Sequence, residues 1–459
     1  MNVLGNVQDR ALHTKSEFIC LRREFPLESR AMKATVLLVL SFVGVNAFGQ
    51  ADRISARIDG VFPEAKSLYL DLHQHPELSS HEERTAATVA GKLRSYGYEV
   101  TEHVGGTGIV ALMRNGTGPV VMLRTEIDAL PVEEKTGLSY ASHVRTHDEA
   151  GREVAVMHAC GHDMHMASLV GTAKIMAETR NEWHGILMLI GQPAEETIAG
   201  AKAMVADDLF TRFPKPEIGL ALHTSNELPA GQVGVLAGPR YANADSLRIT
   251  IYGRGGHGSR PEATIDPVLI AARTVEALQS IASREIRSTD GVVVTVGYIR
   301  AGTKNNIIPD DAELGLTVRT YKPEVRKKVL ASIDRIVKAE AEAGGAEKLP
   351  KIEHYESTDA VYNDPALVDR LRPALIAALG SSNIVPGRPI MGSEDYSVYI
   401  QQGVPSVYMS LGGANPAKWA VANGENLPSN HSSLFYPELE PTLRTGILAE
   451  VTALRTFLK

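Results

Sequence analysis

The chain has 459 residues, 44% of them hydrophobic and 22% charged, which is the profile of a globular protein and excludes a disordered one. Lys plus Arg number 47 against 54 for Asp plus Glu, a formal net charge of −7, and aromatic residues make up only 5%. No basic surplus and no stacking platform marks a nucleic-acid surface. Two cysteines, Cys20 and Cys160, exclude a disulfide scaffold.

In chain order, the first element is an address rather than a fold. Residues 34–48 form one apolar run directly behind Lys33. The run is shorter than the roughly 20 residues of a membrane span. A basic flank, a short apolar stretch and small residues at Val45 and Ala47, or at Ala47 and Gly49, fit a secretory signal peptide that begins at Met32. Residues 1–50 are therefore read as upstream segment and signal peptide, with an uncut N-terminal anchor as the alternative. The mature protein is expected to be secreted or periplasmic, with Cys160 as its one cysteine and no contact with a membrane beyond the signal peptide.

Ser79 and Ser80, followed three residues later by Glu82 and Glu83, resemble capping boxes opening an amphipathic helix that runs to Tyr96 and ends at Gly97. Strands are predicted at Ile109–Met113, Val120–Arg124 and Val154–Met157. Helix His165–Thr179, strand Gly185–Ile190, a helix over 200–209 and strand Ile218–His223 follow. Alternating strands and helices predict a doubly covered, mixed or parallel sheet. The pattern changes near Tyr241. Strand Ser246–Tyr252, helix Pro267–Ala282, strands Val292–Tyr298 and Ala312–Thr320, helix Pro323–Ala343 and strand Ile352–Ser357 read βαββαβ, the order of a ferredoxin-like α+β domain. Residues 242–357 are accordingly read as an insertion into a catalytic domain formed by 51–241 and 358–459. That domain resumes with Pro365–Leu379, a helix Glu394–Gln402, strand Ser406–Leu411 and helix Pro441–Phe457.

Four features at element ends carry ligand-type side chains. Met157-His-Ala-Cys-Gly-His-Asp-Met-His165 packs Cys160, His162 and further donors between a strand and a helix. Burying that many titratable groups without a partner is expensive. Gln192-Pro-Ala-Glu-Glu196 follows an apolar strand, and adjacent carboxylates there repel unless cations separate them. His223 ends another strand, and His431 follows a Gly/Asn/Pro-rich loop. Thiolate, imidazole and carboxylate donors suit zinc, and also manganese, cobalt or nickel.

Together these motifs resemble the amidohydrolase branch of the family-20 metallopeptidases, which includes hippurate hydrolases, N-acyl-amino-acid amidohydrolases and auxin-conjugate hydrolases. The likeness extends from Asp71-Leu-His-Gln-His-Pro-Glu-Leu-Ser79 through Asp128-Ala-Leu-Pro131, Gly255-Gly-His-Gly258 and Asn306-Ile-Ile-Pro309 to Met391-Gly-Ser-Glu-Asp395. It implies two divalent metal ions per chain, zinc favoured, held by Cys160, His162, Glu196, His223 and His431. Glu195 matches the general base and Asp128 a carboxylate that orients a ligand. His257 matches a group that reaches the substrate or oxyanion, commonly across a dimer interface, and Asn306 and Arg319 match residues near the substrate carboxylate. A homodimer through residues 242–357 is implied as well. Two positions depart from the family pattern: Glu126 stands where Asp is usual, and Glu262 where His is usual.

The expected activity is hydrolysis of the amide bond of an N-acyl amino acid. The alternatives are a dipeptidase or carboxypeptidase of the same superfamily, a thiol hydrolase using Cys160 with His162 or His165, and a metal- or ligand-binding protein without catalysis. Glu195 argues against the last, because a binding protein needs ligands but no proton carrier.

Overall fold

The computed structural model describes residues 54–422 and 426–459. The signal-peptide expectation for residues 1–50 lies outside the described residues. Two sheets carry the fold. Their strands are β1 (Glu99–Thr101), β2 (Ile109–Asn115), β3 (Val120–Glu126), β4 (Gly185–Gln192), β5 (Ile218–Pro229), β6 (Val233–Val235), β7 (Asn243–Tyr252), β8 (Val292–Ala301), β9 (Asp311–Thr320), β10 (Lys351–Thr358), β11 (Ile384–Pro386) and β12 (Ser406–Ala414). The principal helices are α1 (54–74), α2 (Glu83–Ser95), α3 (His162–Glu178), α4 (Pro267–Ser280), α5 (Pro323–Ala343), α6 (Pro365–Leu379) and α7 (Leu439–Phe457). Among the described residues no helix is long and apolar enough to cross a membrane.

The larger sheet runs β1-β2-β4-β3-β5-β12-β6-β11. Its centre, β4-β3-β5-β12, is parallel, whereas β1/β2, β2/β4 and β6/β12 are antiparallel. Side chains alternate across a strand, so each central strand feeds two cores. On β2, Ile109, Ala111 and Met113 enter the core beneath α1, α2, α3 and α7, while Val110 and Leu112 enter the opposite one with Met122, Met188 and Tyr408. Near-continuous burial on both faces explains why these strands read as apolar runs.

Helices α3 and α7 pack closely because each offers a glycine to the other. A Cβ on Gly171 would lie 2.7 Å from Ile447 Cδ1, and one on Gly446 2.7 Å from Ser168 Oγ. The same interface buries Glu450, whose Oε2 accepts hydrogen bonds from Ser168 and Thr172, both at 2.8 Å.

The second sheet, β8-β9-β7-β10, is antiparallel throughout. With α4 and α5 on one face it has the order βαββαβ, an α+β unit within the α/β chain. Leu247, Ile249 and Ile251 of β7 and Leu314, Leu316 and Val318 of β9 meet Ile270, Leu278 and Val329 of the helices.

Two local expectations are corrected. Ser79 and Ser80 do not cap α2: the Ser79 hydroxyl donates to Asp128 Oδ2 at 2.7 Å, and Ser80 adopts a left-handed φ of 67°. Glu82 occupies the cap position, and its side chain bonds elsewhere. The predicted helix Glu394–Gln402 shrinks to Ser397–Gln401. Glu394 Oε1 accepts the Tyr396 amide at 2.9 Å, a local bond that competes with helix formation.

Burial pushes the Glu450 carboxyl up to about 8 from the ordinary 4.5. A carboxyl with a higher pKa in the folded state supports folding fully below the unfolded value and loses that support as pH climbs to the folded one. Stability measured by thermal or denaturant unfolding should therefore fall between about pH 5 and about pH 8 in the natural chain. The decline should be shallower in Glu450→Gln, by on the order of a few kcal/mol at the upper end. Parallel pH profiles would contradict a buried, protonated Glu450.

Candidate metal centre

The connections after β3 and β4, the start of α3 and the far part of β5 converge on one buried site. Gly161 makes the turn into α3. Its φ is 86°, and a Cβ there would lie 2.4 Å from Thr224 Oγ1, so only glycine fits. This turn puts Cys160 and His162 side by side at the helix start. His223 lies on β5 just beyond Ala221, the last residue paired with β3. His431 arrives on a separate loop with φ of 69°, pinned by its amide to Ala159 O at 2.8 Å.

The His162 ring is aimed from behind. Its Nδ1 lies 2.8 Å from Asp128 O and 3.2 Å from Asp128 Oδ1, which directs Nε2 into the site. There Nε2 stands 3.8 Å from Glu196 Oε1 and 3.9 Å from Glu195 Oε2. His431 Nε2 is 3.3 Å from Glu196 Oε2, and Cys160 Sγ is 3.4 Å from His223 Nε2. Donor atoms of Cys160, Glu196 and His431 lie within 4.8 Å of one another, as do those of His162, Glu195 and Glu196. The chain therefore brings together Cys160, His162, Glu195, Glu196, His223 and His431, with Asp128 behind them.

Two of these atoms test whether cations fit. His162 Nε2 and Glu196 Oε1 are buried and have no hydrogen-bond partner among the described residues. Burial of such atoms unpaired costs free energy that a bound cation would recover. A thiolate, three imidazoles and a carboxylate are the right chemistry for a borderline divalent ion. The donors present fit.

The electrostatics agree. Burial opposes a charged His162 ring, but the Asp128 hydrogen bond and the charge of Glu126 outweigh it and push the ring up to about 10. The same field would hold a cation at Nε2. Burial, reinforced by Glu196 and Glu195, pushes the Cys160 thiol up. Neither His162 nor His165 hydrogen-bonds the sulfur among the described residues; its imidazole neighbour is His223, and burial favours the neutral thiol, whereas a coordinating cation deprotonates a thiol outright. Burial raises Glu196 to about 7 and Glu195 well above the carboxylate range, Glu394 adding to the latter. Burial lowers His223, and partial burial with the charge of His162 lowers His431, whose side chain stays 57% exposed, so both present neutral, lone-pair-bearing rings.

The remaining predicted residues lie elsewhere. His257 is exposed, its Nδ1 bonded to Ser259 Oγ at 2.8 Å, with no hydrogen bond or ion pair to the buried cluster among the described residues. Asn306 lies beside it, its carbonyl accepting the Gly258 amide at 2.9 Å. Arg319 on β9 is half-buried, its Nε donating to Thr317 Oγ1 at 3.2 Å and its Nη1 without a hydrogen-bond partner among the described residues. Glu262 is exposed beside Arg260.

A wall of charge behind the site was not anticipated from the sequence. Arg124, fully buried, donates from Nη2 to Glu394 Oε1 at 2.8 Å and Asp395 Oδ1 at 3.2 Å, from Nε to Gln192 Oε1 at 2.9 Å, and from Nη1 to Glu126. Glu126 Oε2 accepts from His165 Nδ1 at 2.9 Å, while His165 Nε2 accepts the Thr224 amide at 2.8 Å. His165 is thus committed on both nitrogens and is a support rather than an open donor. The signal was present in the quoted motifs, which contain Glu126, His165, Glu394 and Asp395; only their contacts were missing.

Residues 122–430 match Peptidase family M20/M25/M40. Over 384 residues the chain is 36% identical to thermostable carboxypeptidase 1 of Saccharolobus solfataricus, covering 82% of this chain and 91% of that protein. Over 343 residues it is 37% identical to the hippurate hydrolase of Campylobacter jejuni, covering 74% and 85% respectively. Its fold is similar to that of a Bacillus subtilis dinuclear metal-binding peptidase from the M20 family, with a TM-score of 0.71 and 28% identity over 87% of this chain and 100% of the other.

Replacement of Cys160 by alanine removes the one soft donor while leaving the Gly161 turn intact. Metal content of purified Cys160→Ala, read by elemental mass spectrometry, should drop by about one ion per chain relative to the natural protein. Unchanged content would remove the thiol from the donor set.

Proposed function

This chain belongs to peptidase family M20/M25/M40 and is a metal-dependent hydrolase of amide or peptide bonds; on that premise we propose that it cleaves N-acyl amino acids, with Glu195 as the proton carrier. The observation that carries this reading is the pair of buried, unpartnered donor atoms, His162 Nε2 and Glu196 Oε1, set beside Glu195.

Cys160, His162, Glu196, His223 and His431 would hold two divalent cations, zinc favoured by the donor set, and these when bound supply Lewis-acid polarisation and a lowered pKa for water. Every other role falls to side chains. Glu195, whose carboxyl is kept high by burial and by Glu394, takes up the proton of the attacking water and returns it to the leaving amine nitrogen. Asp128 fixes the His162 tautomer by receiving Nδ1–H. Arg124 gathers Glu126, Glu394 and Asp395, holding two of Glu195's charged neighbours in place. The half-free Arg319 guanidinium suits a bidentate grip on a substrate carboxylate, with Asn306 near it in role.

His257 is read as the donor to the oxyanion. Its exposure, and the absence of a hydrogen bond or ion pair to the cluster among the described residues, support delivery from a second copy, in a homodimer formed through residues 242–357. The edge strand β8, with Ile299 49% exposed, and α4, with Leu269 51% exposed, support that face as the contact. The apolar run at residues 34–48 supports export, secreted or periplasmic. A second reading, a carboxypeptidase or dipeptidase, is favoured by the likeness to the Saccharolobus enzyme. Hydrolysis of hippurate and N-acetyl amino acids in preference to dipeptides would establish the first reading; the reverse preference would establish the second.

Two outcomes follow from the assigned roles. Glu195→Gln should lower kcat by about 10³-fold with metal content at the natural level; loss of metal alongside activity would contradict a proton-carrying role. Glu195→Gln and His257→Ala, each inactive alone, should regain up to about a quarter of natural activity when subunits are mixed and exchanged, because one site of each mixed dimer is intact. No recovery after verified exchange would contradict delivery of His257 from the partner.

A further inference from the structure

The loop that carries Glu195 is wound tightly and held from one side by a carboxylate that the proposed chemistry does not use. Ala194 has a φ of 48° and Ile198 one of 57°, so two non-glycine residues within five positions are left-handed. Such residues persist only where the surroundings over-determine them. Ala194 O accepts the amides of Ala199 and Gly200 at 3.2 and 3.1 Å, and Glu195 O accepts that of Ile198 at 2.7 Å. Those bonds close the loop on itself but do not anchor its entry.

The entry is anchored by Glu82. Its side chain is fully buried, and Oε1 accepts the amide of Ala194 at 2.8 Å together with that of Ser80 at 2.8 Å. Oε2 accepts the hydroxyl of Thr107. The carboxylate is thereby fixed against its own segment and against the chain before β2, and one oxygen is left to hold a single amide of the catalytic loop. The same short segment holds the loop's exit indirectly, since Ser79 donates to Asp128 Oδ2, which also accepts the Glu196 amide at 3.0 Å. Without its acceptor, the Ala194 amide would be unpaired in a dry interior. The residue would then relax toward the right-handed region, and rotation about its ψ carries the Glu195 side chain with it.

We propose that Glu82 is a positioning residue that aims the Glu195 carboxylate by holding Ala194 in its left-handed conformation. The inference rests on the reading of Glu195 as proton carrier. It makes use of the motif His75-Pro-Glu-Leu-Ser-Ser-His-Glu82, which no ligand or acid–base role explains.

The test compares purified full-chain variants, metal-loaded, on the best substrate among hippurate and the N-acetyl amino acids. The measurements are kcat, KM, metal content and the melting temperature of the metal-free protein. Glu82→Ala should lower kcat by roughly 10- to 100-fold, the scale of a displaced catalytic group, with KM within about threefold and metal content unchanged. Glu82→Gln keeps an acceptor for Ala194 and should recover most of that loss. Adding Ala194→Gly to Glu82→Ala should also recover kcat, because glycine adopts a positive φ without the clamp. A purely structural Glu82 would lower the melting temperature without this pattern of rescue. Natural kcat in Glu82→Ala, or a loss that neither Gln nor the glycine relieves, would overturn the proposal. Should Glu82→Ala fail to fold, Thr107→Val takes its place, with a several-fold kcat loss expected and natural kcat overturning the idea. Glu195→Gln is run in parallel: if it turns over normally, the reading of Glu195 fails, and if it is inactive while Glu82→Ala is normal, only the clamp fails.

Discussion

The carboxylate of Asp128 joins three segments that are remote in sequence. Its Oδ2 accepts from Ser79 Oγ at 2.7 Å and from the Glu196 amide at 3.0 Å, and its Oδ1 lies 3.2 Å from His162 Nδ1. Oδ2 carries both hydrogen bonds, while Oδ1 faces the His162 ring as an ion-pair partner only, and each of these contacts positions something. The Ser79 bond ties in the segment before α2, the Glu196 bond the loop after β4, and the His162 contact the start of α3. Asp128 is held below its ordinary pKa although burial works against the charge, because His162 and these donors outweigh it. The geometry of the candidate metal centre depends on this one group remaining ionised.

Behind it, Arg124 plays the corresponding part with opposite sign. A fully buried guanidinium surrounded by Glu126, Glu394 and Asp395 would be costly if any partner were missing. The extra methylene of Glu126 has a use in this setting. Its two oxygens reach Arg124 and Tyr408 on one side and His165 on the other, so a single residue couples β3, α3 and β12. Gln192, the last residue of β4, is clasped by Arg124, Asp395 and Tyr399, which fixes where the Glu195 loop begins. Positions of acid, base and donor are thus determined by a dry ionic layer rather than by the loops themselves.

Much of this layout was legible in the sequence. Apolar runs bounded by turn residues marked β2, β3 and β4 to within a few residues and the start of β5, which continues six residues past its expected end at His223, and Pro323–Ala343 and Pro365–Leu379 were read with their observed ends, because proline at the first helical turn is a strong signal. The donors Cys160, His162 and Glu196 stood at or near element ends, where an α/β sheet gathers its site, and His431 on a loop; His223, read as the end of its strand, lies inside β5, which runs on to Pro229. What could not be read were contacts between segments far apart in the chain. Ser79 followed by Glu82 fits a capping box locally, but tertiary partners at Asp128 and Ala194 claim both side chains. Glu394 and Asp395 looked helical until Arg124, 270 residues away, supplied a better partner. His257, Asn306 and Arg319 lie on the unit formed by residues 243–358, and no hydrogen bond or ion pair joins them to the buried donors among the described residues.

The central claim is that the unpartnered donors around His162 and Glu196 form a two-cation site. Anomalous X-ray diffraction from crystals of the full chain grown with Zn²⁺, recorded on both sides of the zinc absorption edge, tests it without reference to turnover. The account predicts two peaks roughly 3.5–4 Å apart, one within about 2.3 Å of Cys160 Sγ and each within about 2.2 Å of a Glu196 oxygen or an imidazole nitrogen of His162, His223 or His431. Absence of peaks there, or zinc only at surface carboxylates, would contradict it.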